Sequence, residues 1–318
     1  MKIGLFTDSL AGLSFEEALD WAAAQGLQAV EIGTGNFSPA PHCDMQKLID
    51  DQQARQQFLR ALASRGLELS ALNCNGNLLD PHPDRRKRAQ QVFQDTLQAA
   101  HLLGIQTVVT MSGCPGDLEG GTYPNWVTCT WQREYVELLD RQWEQEIRPF
   151  WEQAAGRARQ LGIRIAIEMH PGQAVYNTHT LQRLRRICGE EVVGANLDPS
   201  HFFFQDMDPL VVVRALGPGA VFHVHAKDTR INTQEMALNG SLDTRPMSEP
   251  GVRSWEYVTL GFGHDEFFWR SFLSTLKMMG YDGVLSIEHE DRLMSPREGI
   301  QKSIALLSGL ILRTTRSG

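Results

Sequence analysis

Cysteine is scarce in this sequence, and none of it is spaced as a metal-binding or redox motif. The five cysteines are odd in number, lie far apart and include no Cys-x-x-Cys pair. Such usage is typical of reduced thiols in the cytosol and argues against a fold that depends on disulfide bonds. We therefore expect a cytoplasmic protein.

Long apolar runs are also missing. The opening residues, MKIGLFTDSL, include one basic residue and no apolar stretch of the length found in signal peptides. A membrane helix needs about 20 apolar residues, and the longest candidate, 305–312, already contains Ser308 and Gly309. The sequence thus predicts neither secretion nor a membrane span.

An excess of positive charge is the third absence. The formal net charge is −8, and 42% of the residues are hydrophobic. Nucleic acids and anionic membranes attract proteins that carry a positive field, so neither is an expected partner. The composition instead predicts a globular protein with a sizeable core.

A repeated junction organises what is present. Five glycines each follow an amphipathic helical pattern and precede an apolar strand pattern: Gly26, Gly66, Gly104, Gly162 and Gly280. Glycine just past a helix end takes the left-handed conformation that closes the helix, because it has no Cβ to clash. Five copies of one junction indicate that the chain repeats a single supersecondary unit.

Eight strands are predicted, each followed by a helical pattern, at 2–8, 28–34, 67–74, 106–112, 163–170, 192–198, 220–227 and 283–290. Segments such as 163–170 are almost continuously apolar, which is typical of parallel strands buried on both faces. Eight β/α units in about 300 residues fit an α/β fold, the (β/α)₈ or TIM barrel, and a doubly wound sheet is the structural alternative. We expect a single domain over 1–318, with a long loop insertion at about 229–263 after the seventh strand.

The last four predicted strands all end in acids and histidines, and strand ends are where a TIM barrel carries its chemistry. These ends hold Glu168 and His170, Asp198 and His201, His223 and His225, and Glu288 and Glu290. Buried carboxylates are unfavourable unless they are paired or bind a metal ion, and three that converge on one barrel rim repel each other. A divalent cation removes that repulsion, so we predict a metal site.

Two interpretations of these acids are open. They are either metal ligands or ordinary rim residues paired with Lys227, Arg230 or Arg292. Under the metal hypothesis, three carboxylates and one imidazole form a hard, oxygen-rich site. Such a site favours Mn²⁺ or Mg²⁺, with Co²⁺ or Zn²⁺ as further candidates.

Six other residues are candidates for substrate binding: His201, His170, Lys227, Arg230, Arg253 and Asn73. His201 either binds a substrate hydroxyl or forms a hydrogen bond that supports a metal ligand. Lys227 and Arg230 can hold substrate oxygens or balance the charge of the site. Arg253 lies in the long loop, from which it can reach in when a lid closes. Asn73 can bind a hydroxyl, although the Asn-Gly pair that follows it is also typical of a turn.

The order and spacing of these motifs resemble the xylose isomerase-like TIM barrels of the AP endonuclease family 2 type, which include sugar epimerases similar to D-tagatose 3-epimerase. The shared motifs, E-x-H-P-G, D-P-S-H, H-x-K-D, G-x-G and I-E-H-E-D, cover most of the chain. The resemblance implies that the metal is held by Glu168, Asp198, His225 and Glu288, and it selects His225 over His223. The loop sequences NCNGN, SGCPGD and PNW look like those of the branch that acts on oxidised glycosides, including 3-keto-glycoside epimerases.

The resemblance also implies a reaction. The chain is expected to isomerise or epimerise a small carbohydrate, a keto-sugar or a 3-keto-glycoside. In that mechanism the metal ion stabilises an enediolate, while Glu168 and Glu288 remove and return a proton on opposite faces of one carbon. Barrels of this kind often associate, so a homo-oligomer is a further expectation.

Three other functions are alternatives. A lyase or dehydratase acting on 3-keto-glycosides would form the same enolate and then expel a leaving group. A nuclease similar to endonuclease IV would need further histidines for its three-zinc cluster, but strands two to four end in GTGN, NCNGN and MSGC. A degenerate barrel that only binds sugars is the third alternative.

Overall fold

The computed structural model describes residues 1–117 and 120–312. Within these ranges the strands are β1 (Lys2–Phe6), β2 (Ala29–Gly33), β3 (Glu68–Asn73), β4 (Thr107–Met111), β5 (Arg164–Glu168), β6 (Val193–Leu197), β7 (Val221–Ala226), β8 (Asp228–Ile231), β9 (Trp255–Val258) and β10 (Val284–Ile287). Eight of them close into a barrel of parallel strands in the order β1-β10-β7-β6-β5-β4-β3-β2. The predicted (β/α)₈ barrel is therefore confirmed.

At least one helix follows each barrel strand. The helices are α1 (Phe15–Ala24), α2 (Met45–Asp50), α3 (Gln52–Ala63), α4 (Pro83–Leu103), α5 (Arg133–Arg141), α6 (Arg148–Leu161), α7 (Thr178–Cys188), α8 (Ser200–Phe203), α9 (Pro209–Leu216), α10 (Thr233–Asn239), α11 (Glu266–Met278) and α12 (Pro296–Leu310). A 3₁₀ turn at Thr7–Leu10 follows β1, and a π-helical segment at Gln142–Ile147 joins α5 to α6. Among the described helices, none is long and apolar enough to cross a membrane.

Each predicted barrel strand contains the observed one, with a few extra residues at its ends. Every residue of β2, β4, β6 and β10 is buried. This explains their largely apolar patterns, because a strand in a closed parallel barrel faces side chains inside and helices outside. The strand positions could thus be predicted from hydropathy alone.

The helix ends follow from local sequence. All five predicted junction glycines have positive φ, from 68° at Gly66 to 83° at Gly280. Helix α1 starts with a capping box, in which the Ser14 side chain accepts a hydrogen bond from the backbone N–H of Glu17 and the Glu17 carboxylate accepts one from that of Ser14. Caps of this kind contribute about 1 kcal/mol each. These signals place the helix boundaries between the barrel strands.

Contacts group the chain into two compact units. One comprises residues 1–31, 61–70 and 197 onward, and the other comprises 32–60 and 71–196. The first unit has a buried aromatic cluster in which the rings of Phe204 and Trp255 stack 3.8 Å apart. The single domain expected over 1–318 stays a prediction, and residues 313–318 of that span lie outside the described residues.

The segment expected to be a long loop, 229–263, contains regular structure. Strands β8 and β9 pair antiparallel as a separate two-stranded sheet, with Arg230 opposite Glu256, and α10 lies between them. Sequence analysis missed these elements, because strands of four residues carry too short a pattern to stand out. This antiparallel pair of β8 and β9, called the ribbon below, begins directly after β7 in the chain.

Candidate metal centre

The predicted metal ligands lie at the carboxyl ends of four barrel strands. Glu168 is the last residue of β5, and Asp198 follows β6 directly. His225 is the penultimate residue of β7, and Glu288 follows β10 directly. This is the rim at which TIM barrels carry their active sites.

Three of these ligands meet within the first compact unit and are called the acid–imidazole cluster: Asp198, His225 and Glu288. Each offers one potential ligand atom, and these atoms lie within 4.8 Å of one another. The His225 Nδ1 atom is 3.2 Å from Glu288 Oε2. The side chains of Asp198 and His225 are fully enclosed, and that of Glu288 is only 12% exposed. The arrangement can accept a small cation.

Lys227 is the protein's own cation at this cluster. Its Nζ atom lies 3.0 Å from Glu288 Oε2, 2.7 Å from Glu290 Oε2 and 3.8 Å from Asp198 Oδ2. Burial alone lowers the pKa of Lys227, but the carboxylates of Glu288, Glu290 and Asp198 outweigh it and hold the pKa well above its usual value. One permanent ammonium therefore faces three acids.

This charge imbalance is the test of whether a metal fits. Asp198 and Glu288 are two enclosed carboxylates that share one ammonium, and the excess negative charge that remains is unfavourable at a buried position without a further cation. Glu290 adds less to this excess, because its side chain is 48% exposed to solvent. Carboxylate oxygens and an imidazole nitrogen are also the donors that divalent ions such as Mn²⁺ and Zn²⁺ accept. The residues present fit a divalent metal ion.

His201 supports Asp198 from behind. Its Nε2 atom lies 3.2 Å from Asp198 Oδ2, and its Nδ1 atom lies 3.0 Å from the hydroxyl oxygen of Tyr257. Burial raises the pKa of Tyr257 well above its usual value, so the phenol stays protonated and its O–H group donates a hydrogen bond to Nδ1. The other ring nitrogen, Nε2, then faces the Asp198 carboxylate in an ion-pair contact. Of the two roles predicted for His201, these contacts favour support of a ligand.

Glu31, on β2, supports His225 and was missed by sequence analysis. Both its carboxylate oxygens lie 3.1 Å from His225 Nε2, and Ser286 Oγ donates a 2.6 Å hydrogen bond to its Oε2. A carboxylate on one ring nitrogen orients an imidazole so that the other nitrogen can bind a metal. The signal was available, because an acid inside the apolar strand AVEIG needs a buried partner.

Glu31 forms a second group of potential ligands with His223 and His225. His223 Nε2 lies 3.8 Å from Glu31 Oε2. Burial alone raises the pKa of Glu31, but the imidazoles of His225 and His223 and the hydrogen bonds it accepts bring the pKa below its usual value. Glu31 therefore stays ionised in the folded protein and acts as a hydrogen-bond acceptor.

Replacing Glu31 with glutamine should destabilise the metal-free protein near neutral pH by about 2 kcal/mol, because a hydrogen-bonded charge is lost. The stabilising contribution of Glu31 is present above its unfolded pKa of about 4.3. It disappears as the pH falls through the lower folded pKa. The difference between wild type and Glu31→Gln should therefore shrink between pH 6 and pH 3, as urea unfolding in EDTA will show.

Glu68→Gln is the matched control for that experiment, because Glu68 forms an exposed ion pair with Lys2. It should change the free energy of unfolding by less than about 1 kcal/mol at either pH. A deficit in Glu31→Gln that is equally large at pH 3 and pH 6 would contradict the assignment of an ionised Glu31.

Glu168 lies in the second compact unit, where two amides hold it. Its Oε2 atom accepts hydrogen bonds from Asn75 Nδ2 at 2.7 Å and from Asn196 Nδ2 at 3.0 Å. Glu168 is 2% exposed and lies opposite Asn196 in the pairing of β5 with β6. Hydrogen bonds to a carboxylate favour its ionised form. Sequence analysis also missed Asn196, although it lies in the segment NLDPSH.

The remaining predicted substrate residues fall into different places. Asn73 is buried, and its Oδ1 accepts a hydrogen bond from the backbone N–H of Asn75, so it shapes the loop that carries Asn75. His170 is half-buried two residues after Glu168, where its Nδ1 contacts the carbonyl oxygen of Pro171. Neither contact tests their predicted role with substrate, which stays a prediction.

Asp228 anchors the loop beside the centre. Its Oδ2 accepts hydrogen bonds from the backbone N–H groups of Gly261, Gly263 and His264, and its Oδ1 lies 2.8 Å from His264 Nδ1. Gly263 packs so closely that a Cβ would lie 2.3 Å from the carbonyl oxygen of Thr229. The aspartate of H-x-K-D and the G-x-G motif thus form one structural unit.

The chain matches the family model of the xylose isomerase-like TIM barrels over residues 19–310. The chain belongs to this family. The resemblance noted from the motifs is confirmed at that level, and the match spans nearly the whole chain. An inosose dehydratase and a D-tagatose 3-epimerase-like protein are both similar to this chain, so membership of the family does not define one reaction.

Two relatives and two solved structures illustrate the range. YfiH of Bacillus subtilis (strain 168) is 41% identical over 314 residues, which cover 98% of this chain and 99% of YfiH. Inosose dehydratase of Lacticaseibacillus casei is 26% identical over 278 residues, 87% of this chain and 83% of that protein. The zinc-bound IolI protein has a TM-score of 0.66 at 17% identity and covers 98% of this chain and 100% of its own. A D-tagatose 3-epimerase-like protein has a TM-score of 0.64 at 20% identity and covers 98% of each chain. At such identities the two structures show the fold alone.

Proposed function

We propose that this protein is a divalent-metal-dependent sugar isomerase that epimerises a keto-sugar or a 3-keto-glycoside. The observation that carries the proposal is the acid–imidazole cluster, in which buried ligand atoms within 4.8 Å of one another face a single ammonium. Mn²⁺ or Mg²⁺ suits this oxygen-rich set best, with Co²⁺ or Zn²⁺ as alternatives. The zinc in the IolI structure supports a metal in this fold.

Glu168 is the fourth ligand in this proposal. Its carboxylate is bonded to Asn196, and Asn196 lies two residues before Asp198 on the same chain segment. The hydrogen bond to Asn196 and the place of Glu168 in the E-x-H-P-G motif support this assignment.

The bound metal would polarise a substrate carbonyl and make the adjacent C–H acidic. Glu168, whose carboxylate accepts hydrogen bonds from Asn75 and Asn196, removes that proton as general base. Glu288 returns a proton taken from solvent on the opposite face, and the ammonium of Lys227, whose Nζ is 3.0 Å from Glu288 Oε2, holds that side chain in place. The proton left on Glu168 then exchanges with solvent, so the product gains a solvent hydrogen.

A dehydratase acting on 3-keto-glycosides or related ketones is the second candidate. The observation that favours it is Lys227, an ammonium that can donate a hydrogen bond to a departing hydroxyl, while the proton that completes the water molecule comes from Glu288. The inosose dehydratase relative supports the same alternative. Both reactions share the first proton transfer and differ only in the fate of the carbanion.

Proton NMR in D₂O separates these reactions. The Mn²⁺-loaded protein is incubated with D-fructose, D-tagatose, 3-keto-glucosides and 2-keto-myo-inositol. An epimerase gives a new sugar with deuterium at one carbon, whereas a dehydratase gives a product that has lost water. Mn²⁺ content of one ion per chain is expected. Cleavage of abasic DNA, or failure to bind any of the four divalent metals named above, would overturn the proposal.

A further inference from the structure

Arg253 is a guanidinium held rigidly beside the proposed centre. It is 5% exposed and immediately precedes Ser254 and β9. Its guanidinium carbon lies 4.4 Å from the ring centre of Trp255, and its Nη2 donates a 2.9 Å hydrogen bond to the carbonyl oxygen of Asp243. One face and one nitrogen of the group are therefore occupied.

The other two nitrogens are in a different situation. Arg253 Nε and Nη1 are buried and have no hydrogen-bond partner among the residues that the structure describes. A guanidinium cannot lose its charge at physiological pH, and buried donors without acceptors are strongly unfavourable. A rigid arginine with two unused donors is therefore poised to bind an acceptor from outside the protein.

These donors belong to a residue that lines a small cavity. Tyr257, Glu290 and Arg292 also line it, and its volume is about 20 Å³, enough for an oxygen-sized group. The Tyr257 ring has Lys227 Nζ 4.3 Å from its centre on the side of the acid–imidazole cluster. The cavity thus adjoins the proposed centre through one aromatic ring.

Charge decides what kind of group enters. Two acids of the cavity wall are already paired, Glu290 with Lys227 at 2.7 Å and Glu256 with Arg230 at 2.6 Å. A third, Asp291, accepts hydrogen bonds from the backbone and hydroxyl of Thr259. Glu249 and Arg292 complete the charged residues of the wall. The charge that decides is that of Arg253 itself, because its two unused donors form stronger hydrogen bonds with an anionic oxygen than with a neutral hydroxyl.

We propose that Arg253 binds a carboxylate of the substrate, so that the substrate class is a keto-sugar acid. The inference rests on the proposed function. A metal centre with three carboxylate ligands repels an anion, and Arg253 is the cation that offsets this repulsion at the distal end of the substrate. A cavity of this size has room for one oxygen of a carboxylate, whereas a phosphate group is bulkier and presents three charged oxygens.

The test is calorimetric titration of the Mn²⁺-loaded protein with D-fructuronate, D-fructose and D-fructose 6-phosphate. Fructuronate and fructose differ only in a carboxylate against a hydroxymethyl group. Wild type should bind fructuronate at least about 10-fold more tightly than fructose, the value of one charge-assisted hydrogen bond. Arg253→Met should abolish this preference without changing Mn²⁺ affinity.

Two further variants guard the interpretation. Arg253→Lys keeps the charge but loses the fixed donors and should retain only part of the preference. Arg270→Met removes one positive charge from the exposed pair with Glu266 on α11, and the preference should persist. Because Arg253→Met also removes a loop contact, its thermal unfolding is measured beside the others, and Arg253→Lys decides if Arg253→Met fails to fold.

Each outcome has a distinct meaning. Equal affinity of wild type for fructuronate and fructose, or a preference for the phosphate, overturns the inference. So does a full preference that survives in either Arg253 variant. If Mn²⁺ binds and deuterium enters neutral sugars, the proposed function stands without this inference. If none of Mn²⁺, Mg²⁺, Co²⁺ and Zn²⁺ binds, the proposed function itself fails.

Discussion

Replacing Glu168 with glutamine should lower the rate at which a keto-sugar substrate takes up deuterium by about 10³-fold. This factor lies within the range of rate enhancements that general-base catalysis provides. Glutamine has nearly the same volume and its amide oxygen can still accept from Asn75 or Asn196. The amide cannot accept a proton from carbon, however. The measurement is the initial exchange rate by NMR. It is made at saturating Mn²⁺, so that weaker metal binding is not mistaken for a slower proton transfer.

The matched control for Glu168→Gln is Glu134→Gln, which removes an exposed carboxylate from the first turn of α5. Its exchange rate should equal that of wild type. Thermal unfolding should show that both variants fold. Exchange at the wild-type rate in folded, Mn²⁺-saturated Glu168→Gln would remove Glu168 from the role of base, and a sugar-binding barrel without catalysis would then be the better interpretation.

Replacing His225 with glutamine should weaken Mn²⁺ binding by more than the roughly 10- to 100-fold expected when a supporting residue is lost. His225 is the only nitrogen donor in the proposed set of four ligands. Its Nε2 is engaged by Glu31, and its Nδ1 faces Glu288 at 3.2 Å. Glutamine can still donate a hydrogen bond to Glu31, so the variant keeps that buried carboxylate satisfied. Isothermal titration with Mn²⁺ measures the loss.

His223→Gln is the control that discriminates most sharply. His223 lies on the same strand and the same face, two residues earlier, and its Nε2 is 3.4 Å from Ser70 Oγ. Mn²⁺ affinity in His223→Gln should fall far less than in His225→Gln. The reverse order would place the ion in the group of Glu31, His223 and His225 and would refute the ligand set proposed above.

Prediction of the fold from sequence succeeded where the signal is local. Apolar runs marked the barrel strands, and glycine marked helix ends such as Gly104, because burial on both faces and left-handed backbone each constrain one short segment. The ribbon of β8 and β9 was missed, because strands of four residues are too short to show a clear alternation of apolar and polar residues. Hydropathy therefore predicts the barrel strands better than it predicts short strands in the loops between them.

The candidate site divides along the same line. Sequence pattern alone indicated that Asp198, His225 and Glu288 end successive strands, and the closed parallel barrel brings the ends of such strands to one rim. Sequence could not indicate that Glu31 orients His225 or that Tyr257 reaches His201, because these partners are far apart in the chain. Sequence motifs can therefore indicate candidate ligands, whereas the residues that orient those ligands become apparent only in the folded structure.

The sequence by itself thus determined three things. These are the repeating β/α unit, the position of the acids at the rim of the barrel, and the resemblance of the chain to its family. Only the tertiary structure decided that Lys227 faces three carboxylates and that Arg253 keeps two buried donors beside Tyr257. The reason is physical. Periodicity and chain order set secondary structure and topology, but the field at a charged group depends on neighbours that reach it across the fold.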